Sequence, residues 1–124
     1  MLLSEPEINE VLAEVKAAFP NLSNWEYNNE INNYHMGFSV WGDWTIDRPE
    51  QFIYRRFFIT FNIYQSHWQG SLTIGQPSFF WSDADVGDAN LLDADNCESL
   101  AEAITMLKSQ MVEFLQVFSA LPAT

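Results

Sequence analysis

Residues 51–64, QFIYRRFFITFNIY, change character at every second position. Ile53, Phe57, Ile59, Phe61 and Ile63 fall on one side of an extended chain, interrupted by Arg55, while Phe52, Tyr54, Arg56, Phe58, Thr60, Asn62 and Tyr64 fall on the other. Successive strand side chains point to opposite faces, so this is the longest strand signal in the chain and its first set is the expected core face. Gln65 and Ser66 allow a tight turn into HWQGSLTI, where Trp68, Leu72 and Ile74 alternate with polar residues, which predicts a hairpin. Upstream, Met36, Phe38 and Val40 alternate with His35, Gly37, Ser39 and Trp41 in a further strand, after which GDWTIDRPE, residues 42–50, carries turn residues. GQP breaks the chain at 75–77, and SFFWS supplies a fourth, short strand. Four strands in succession predict an antiparallel meander.

Helical spacing flanks this run. Ser4 and Glu7 have capping-box spacing, Pro6 is tolerated in a first turn, and Ile8, Val11, Leu12, Val15, Ala18 and Phe19 form one apolar stripe that Pro20 ends. At the other end Leu100, Ile104, Leu107, Met111, Phe114 and Leu115 begin a stripe that continues to Leu121, with capping-box spacing from Asp95 to Glu98. Residues 21–34, NLSNWEYNNEINNY, are dense in asparagine, which competes for local backbone bonds and reads as a connection with at most a short strand. The expected class is therefore α+β: a helix, a four-stranded antiparallel meander and a long C-terminal helix, with both helices packed on one sheet face, in a single domain spanning residues 1–124.

Charge and cysteine content narrow the function. Seventeen acids against five bases give a formal charge of −12, and Lys16, Arg48, Arg55, Arg56 and Lys108 are scattered along the chain, which argues against direct nucleic-acid or anionic-membrane binding. No apolar run reaches the length that crosses a bilayer. Cys97 is the only cysteine, so no internal disulfide forms, and MLLSEPE lacks the basic flank and apolar run of a secretory signal. A cytoplasmic location is expected.

The acidic stretch WSDADVGDANLLDADN, residues 81–96, offers hard oxygen donors of the kind calcium prefers. The spacing does not match an EF-hand. A loop starting at Asp83 needs glycine at 88 and glutamate at 94, where Asp88 and Ala94 stand, and a start at Asp85 meets Asn90 and Asn96. The stretch reads instead as an acidic surface of Asp83, Asp85, Asp88, Asp93 and Asp95, its last acids favouring the start of the second helix. Cys97 is then a first-turn residue, and Asp95 and Glu98 beside it oppose a thiolate. His35 and His67 share a strand parity, but no spacing resembles a zinc site. No catalytic residue, metal or cofactor is expected.

The second face of the long strand carries the leading binding site: Trp41, Tyr54, Phe58 and Tyr64 form an aromatic set interleaved with Arg56, residue types that anchor interfaces and line ligand clefts. Arg55, on the opposite parity, is expected at the sheet margin with its head paired to an acid. The first functional expectation is a non-enzymatic protein-interaction module, chaperone-, immunity- or inhibitor-like in size and charge, with a protein partner or self-association as a homodimer. The alternatives are a small-molecule binder or enzyme with an aromatic-lined cavity between sheet and helix, and an acidic nucleic-acid mimic.

Overall fold

The computed structural model describes residues 2–32, 36–75, 77 and 89–119. Its elements are α1 (Glu5–Ala18), β1 (Ser23–Ile31), β2 (Met36–Arg48), a 3-10 turn (Pro49–Gln51), β3 (Ile53–Tyr64), β4 (His67–Ile74), β5 (Ala89–Cys97) and α2 (Leu100–Ser119). The five strands pair antiparallel in the order β1-β2-β3-β4-β5, so the class is α+β.

Ser4 caps α1 reciprocally. Its hydroxyl accepts from Glu7 N at 3.4 Å, and Glu7 Oε1 accepts from Ser4 N at 2.9 Å, which satisfies two donors that the first helical turn leaves open. Those bonds favour the ionised carboxylate and hold the Glu7 carboxyl below its ordinary range, the bond from the Ser4 backbone contributing most. The cap of α2 departs from the expected Asp95–Glu98 box. Ser99 Oγ accepts from Glu102 N at 3.1 Å, and the Glu102 carboxylate accepts from Glu98 N at 3.0 Å. Residues 95–97 are still strand, so the helix cannot be entered from Asp95.

Three segments of the sheet differ from the sequence expectation. Residues 23–31 are a nine-residue strand rather than a connection. β1 is an edge strand that pairs on one side only, and all its residues are exposed or half-buried, so it tolerates polar side chains. Asn29 satisfies its amide on the backbone of Leu3, accepting from Leu3 N at 3.0 Å and donating to Leu3 O at 2.9 Å. Asn24 takes the left-handed conformation (φ 56°) where the register shifts between Ser23 and Glu26, a backbone state in which asparagine is enriched.

The second difference is β2, which runs through the expected turn residues to Arg48. Gly42 lies mid-strand because a ring lies on it: a Cβ there would stand 2.6 Å from carbons of Trp25. The third is β5, which occupies residues 89–97 where a solvated loop was expected. Leu92 and Ala94 pair with Leu72 and Gly70, Asp93 and Asp95 stay exposed, and Asn96 (φ 58°) sits where the register with β4 shifts. The expected strand SFFWS lies outside the described residues.

Both helices cover the same face. Ile8, Val11 and Val15 of α1 and Leu100, Ala103, Ile104 and Leu107 of α2 close over Phe38, Val40, Ile59, Phe61, Ile63 and Ala94 in one apolar cluster. Ile53 and Phe57, expected in this core, sit nearer the far end of β3, where burial falls away. On the opposite face Trp41, Asp43, Phe58, Thr60 and Thr73 are also buried.

Candidate functional site

The first half of α2 packs down on the sheet, and its apolar stripe then continues past the core. Leu100, Ala103, Ile104 and Leu107 are buried, Met111 is half-buried, and Phe114 and Leu115 are exposed. Beneath these last residues the sheet supplies two cross-strand rows: Ile59, Leu72 and Leu92 are in register across β3, β4 and β5, and Trp44 faces Phe57 across β2 and β3. The Trp44 and Phe57 rings stack with centroids 5.3 Å apart and planes 27° apart. Between helix and rows lies a groove of about 330 Å³, lined also by Leu22 and Ile46, whose lining surface is wholly apolar.

Three of the five cationic side chains gather at the β2–β3 end of the sheet, which separation along the chain conceals. Arg56 points to the face opposite the groove and is committed there. Its Nε donates to Asp43 Oδ2 at 2.7 Å, its Nη2 also contacts Asp43, and its guanidinium lies 4.8 Å from the centre of the Phe58 ring. Asn24 Nδ2 donates to the other Asp43 oxygen at 3.0 Å, so this buried carboxylate is held from two strands. Arg48 and Arg55 have the parity of Trp44, Ile46 and Phe57, in a stretch of β2–β3 register without a bulge. Each donates to a neighbouring backbone carbonyl, Arg48 Nη1 to Asp47 O at 3.1 Å and Arg55 Nη1 to Tyr54 O at 2.7 Å. The single ion pair among the described residues is Arg56–Asp43, so Arg55 lacks the acid partner expected for it.

The residues singled out in the sequence are dispersed. Trp41 and Phe58 are 8% and 4% exposed, and their strand partners are Thr60 and Asp43, which places them diagonally next to each other beside Arg56. Tyr54 and Tyr64 are exposed at opposite ends of β3. Ten residues of strand separate them by roughly 33 Å. The structure thus brings Trp41, Arg56 and Phe58 together and leaves the two tyrosines apart.

Of the acidic set, Asp93 and Asp95 lie on β5, while Asp83, Asp85, Asp88 and also His35 lie outside the described residues. Asp93 accepts from Asn90 Nδ2 at 2.6 Å. Desolvation pushes its carboxyl up, the bond from Asn90 opposes this, and the charge of Asp95 adds to it. His67 Nδ1 is 3.0 Å from Gln65 O, in the β3–β4 turn.

Cys97 is not a first-turn residue. It ends β5 fully buried, with Sγ 3.6 Å from Asp95 O and 3.4 Å from Met106 Sδ. Burial pushes its thiol up, and the charges of Glu102 and Asp95 push it further. A second hollow of about 300 Å³ beside α1 is lined by Glu7, Glu10, Glu14 and Glu98. Among the described residues no three His, Cys, Asp or Glu side chains are placed to hold a metal ion.

The groove was missed because Trp44 and Ile46 fall in a segment whose glycine, aspartates and proline signal a turn. The helical half of its lining was visible in the stripe that runs on through Met111, Phe114 and Leu115. Comparison of the chain with family models, with curated proteins and with solved structures returns no match in any of the three.

Proposed function

We propose that this chain is a non-enzymatic binding module that holds the apolar chain of a ligand in the groove between α2 and the sheet. One observation carries the reading: the groove has a volume of about 330 Å³ and a wholly apolar lining. Ligand sites begin near 300 Å³ and are predominantly hydrophobic, and a lining without polar groups offers nothing to activate a reacting bond.

The test is calorimetric titration of the protein with straight-chain alcohols of increasing length. Each methylene that enters the groove tightens binding by about fourfold until the groove is full. Leu115→Glu, at the groove's exposed wall, weakens the whole series. A flat response to chain length ends this reading.

A second reading, protein docking on the distal half of α2, draws support from Val112 and Val117, which are 53% and 64% exposed on a helix whose proximal half is core. Contiguous exposed apolar side chains are a common mark of interfaces. Light scattering that shows only a monomer at micromolar concentration removes self-association from this second reading.

A further inference from the structure

We infer that the ligand of the groove is an anionic single-chain amphiphile, a long-chain carboxylate, whose head is received by Arg48 and Arg55. The inference rests on the groove reading above and adds the chemistry of the ligand's polar end. The chain carries seventeen acids and only five bases, so a negatively charged head meets a repulsive molecule almost everywhere. The β2–β3 end beside the groove is less one-sided, with Arg48, Arg55 and Arg56 set against Asp43, Asp47 and Glu50. Arg55 is the register partner of Ile46, which lines the groove, and Arg48 is the register partner of Ile53 two residues further along the same face.

That geometry makes Arg48 and Arg55 diagonal cross-strand neighbours, about 7–8 Å apart at the backbone, a span that long side chains bridge. Arg55 stands two residues from Phe57, roughly 7 Å along β3 from the groove floor. Neither guanidinium has a carboxylate partner among the described residues; their hydrogen bonds go to the carbonyls of Asp47 and Tyr54. A guanidinium matches a carboxylate bidentately, and two of them at one end of a wholly apolar trough define a polar end and an apolar end for one molecule. Arg56, by contrast, is consumed by Asp43 on the other face and takes no part.

The experiment is isothermal titration of the full chain, at low salt and below micelle formation, with dodecanoate, dodecanol and dodecylammonium, on the wild type and on the double variant Arg48→Gln/Arg55→Gln. The expected result is dodecanoate about fivefold tighter than dodecanol, as two exposed charge contacts contribute, with dodecylammonium weakest. The preference shrinks as salt screens it and disappears in the double variant, whose affinity for dodecanol is unchanged. Circular dichroism verifies that the variant is folded; the head-group series on the wild type needs no variant at all.

Equal binding of dodecanoate and dodecanol, or tightest binding of dodecylammonium, overturns the assignment of the head while leaving the groove reading in place. Absence of binding by all three to the wild type removes both. Binding to vesicles of anionic lipid without binding of monomeric dodecanoate also overturns the inference, since it makes the arginines a surface contact rather than the head site of the groove.

Discussion

The indole of Trp25 lies on the backbone of Gly42, so close that a Cβ on residue 42 would stand 2.6 Å from two of its ring carbons. Trp25 belongs to the edge strand β1 and packs against the apolar cluster, so this contact helps attach the asparagine-rich strand to the rest of the sheet. Gly42→Ala forces the ring to lift and is expected to cost about 1–3 kcal/mol in urea unfolding. In a Trp25→Ala background the obstruction is gone and the same substitution becomes neutral or slightly stabilising, because alanine loses less backbone entropy than glycine in a strand. Equal costs in the two backgrounds would show that the ring is not what excludes the Cβ.

The β3–β4 turn holds an avoidable strain. Gln65 and Ser66 have φ of 50° and 66° between the paired residues Tyr64 and His67, a two-residue loop with both central residues left-handed. Left-handed backbone costs an ordinary residue about 1–2 kcal/mol, part of which glycine returns as unfolded-state entropy. Ser66→Gly is therefore expected to raise stability by about 0.5–1 kcal/mol, and Ser66→Val to lower it. Thermal unfolding of the pair decides this, and a gain from valine would contradict the turn geometry.

This hairpin, the first helix and the apolar stripe of the second were legible because local signals act there without competition. Alternation in β3, the turn dipeptide Gln65-Ser66 and the Ser4–Glu7 box each specify one local structure. The remaining strands were obscured where tertiary contacts override local preference. Asn24 and Asn96 are turn-forming residues used as left-handed steps at register shifts, Gly42 looks like a breaker but is a seat for Trp25, and Asp93 and Asp95 are the exposed side of a strand. The groove was hidden for a further reason. It forms where α2 outruns the core, and the register that brings Trp44 to Phe57 and Arg55 to Ile46 links segments that the sequence separates by a presumed turn.

The two halves of α2 should respond differently to mutation. Leu107 is fully buried in the apolar cluster, so Leu107→Ala is expected to cost about 2–5 kcal/mol. Val117 is 64% exposed, and Val117→Lys is expected to change stability by no more than about 0.5 kcal/mol. Chemical denaturation of both variants separates residues that hold the fold from apolar residues that the fold does not need. A large loss from Val117→Lys would mean that the distal half of α2 is structural, which would weaken both binding readings.

Asp93 makes a pH-dependent prediction. Its folded carboxyl is raised, chiefly by desolvation, above its ordinary range, so the folded state disfavours the ionised form more than the unfolded state does. The sign follows from linkage: the wild type is relatively most stable below the unfolded pKa, and that advantage is lost as pH rises through the higher folded value. Asp93→Asn keeps an acceptor for Asn90 and removes the charge. It is therefore expected to match the wild type in acid and exceed it at neutral pH, in paired denaturation curves. A variant less stable at neutral pH would assign the carboxylate a favourable role that its surroundings do not supply.

Cys97 is the one nucleophilic thiol of the chain, and three features keep it unreactive. It is fully buried, its thiol is raised first by that burial and then by the charges of Glu102 and Asp95, and its sulfur is in contact with Met106. Alkylation requires the thiolate and an open path to it, and the native structure provides neither. Labelling by iodoacetamide is therefore expected to be slow in the native protein, in proportion to the small fraction of molecules that are open, and to become rapid in denaturant. The contrast with a chain in which Cys97 started a helix is direct, because a helix N-terminus favours the thiolate and leaves it near solvent. Native labelling as fast as that of free cysteine would overturn the burial of this end of β5 and restore a case for nucleophilic chemistry.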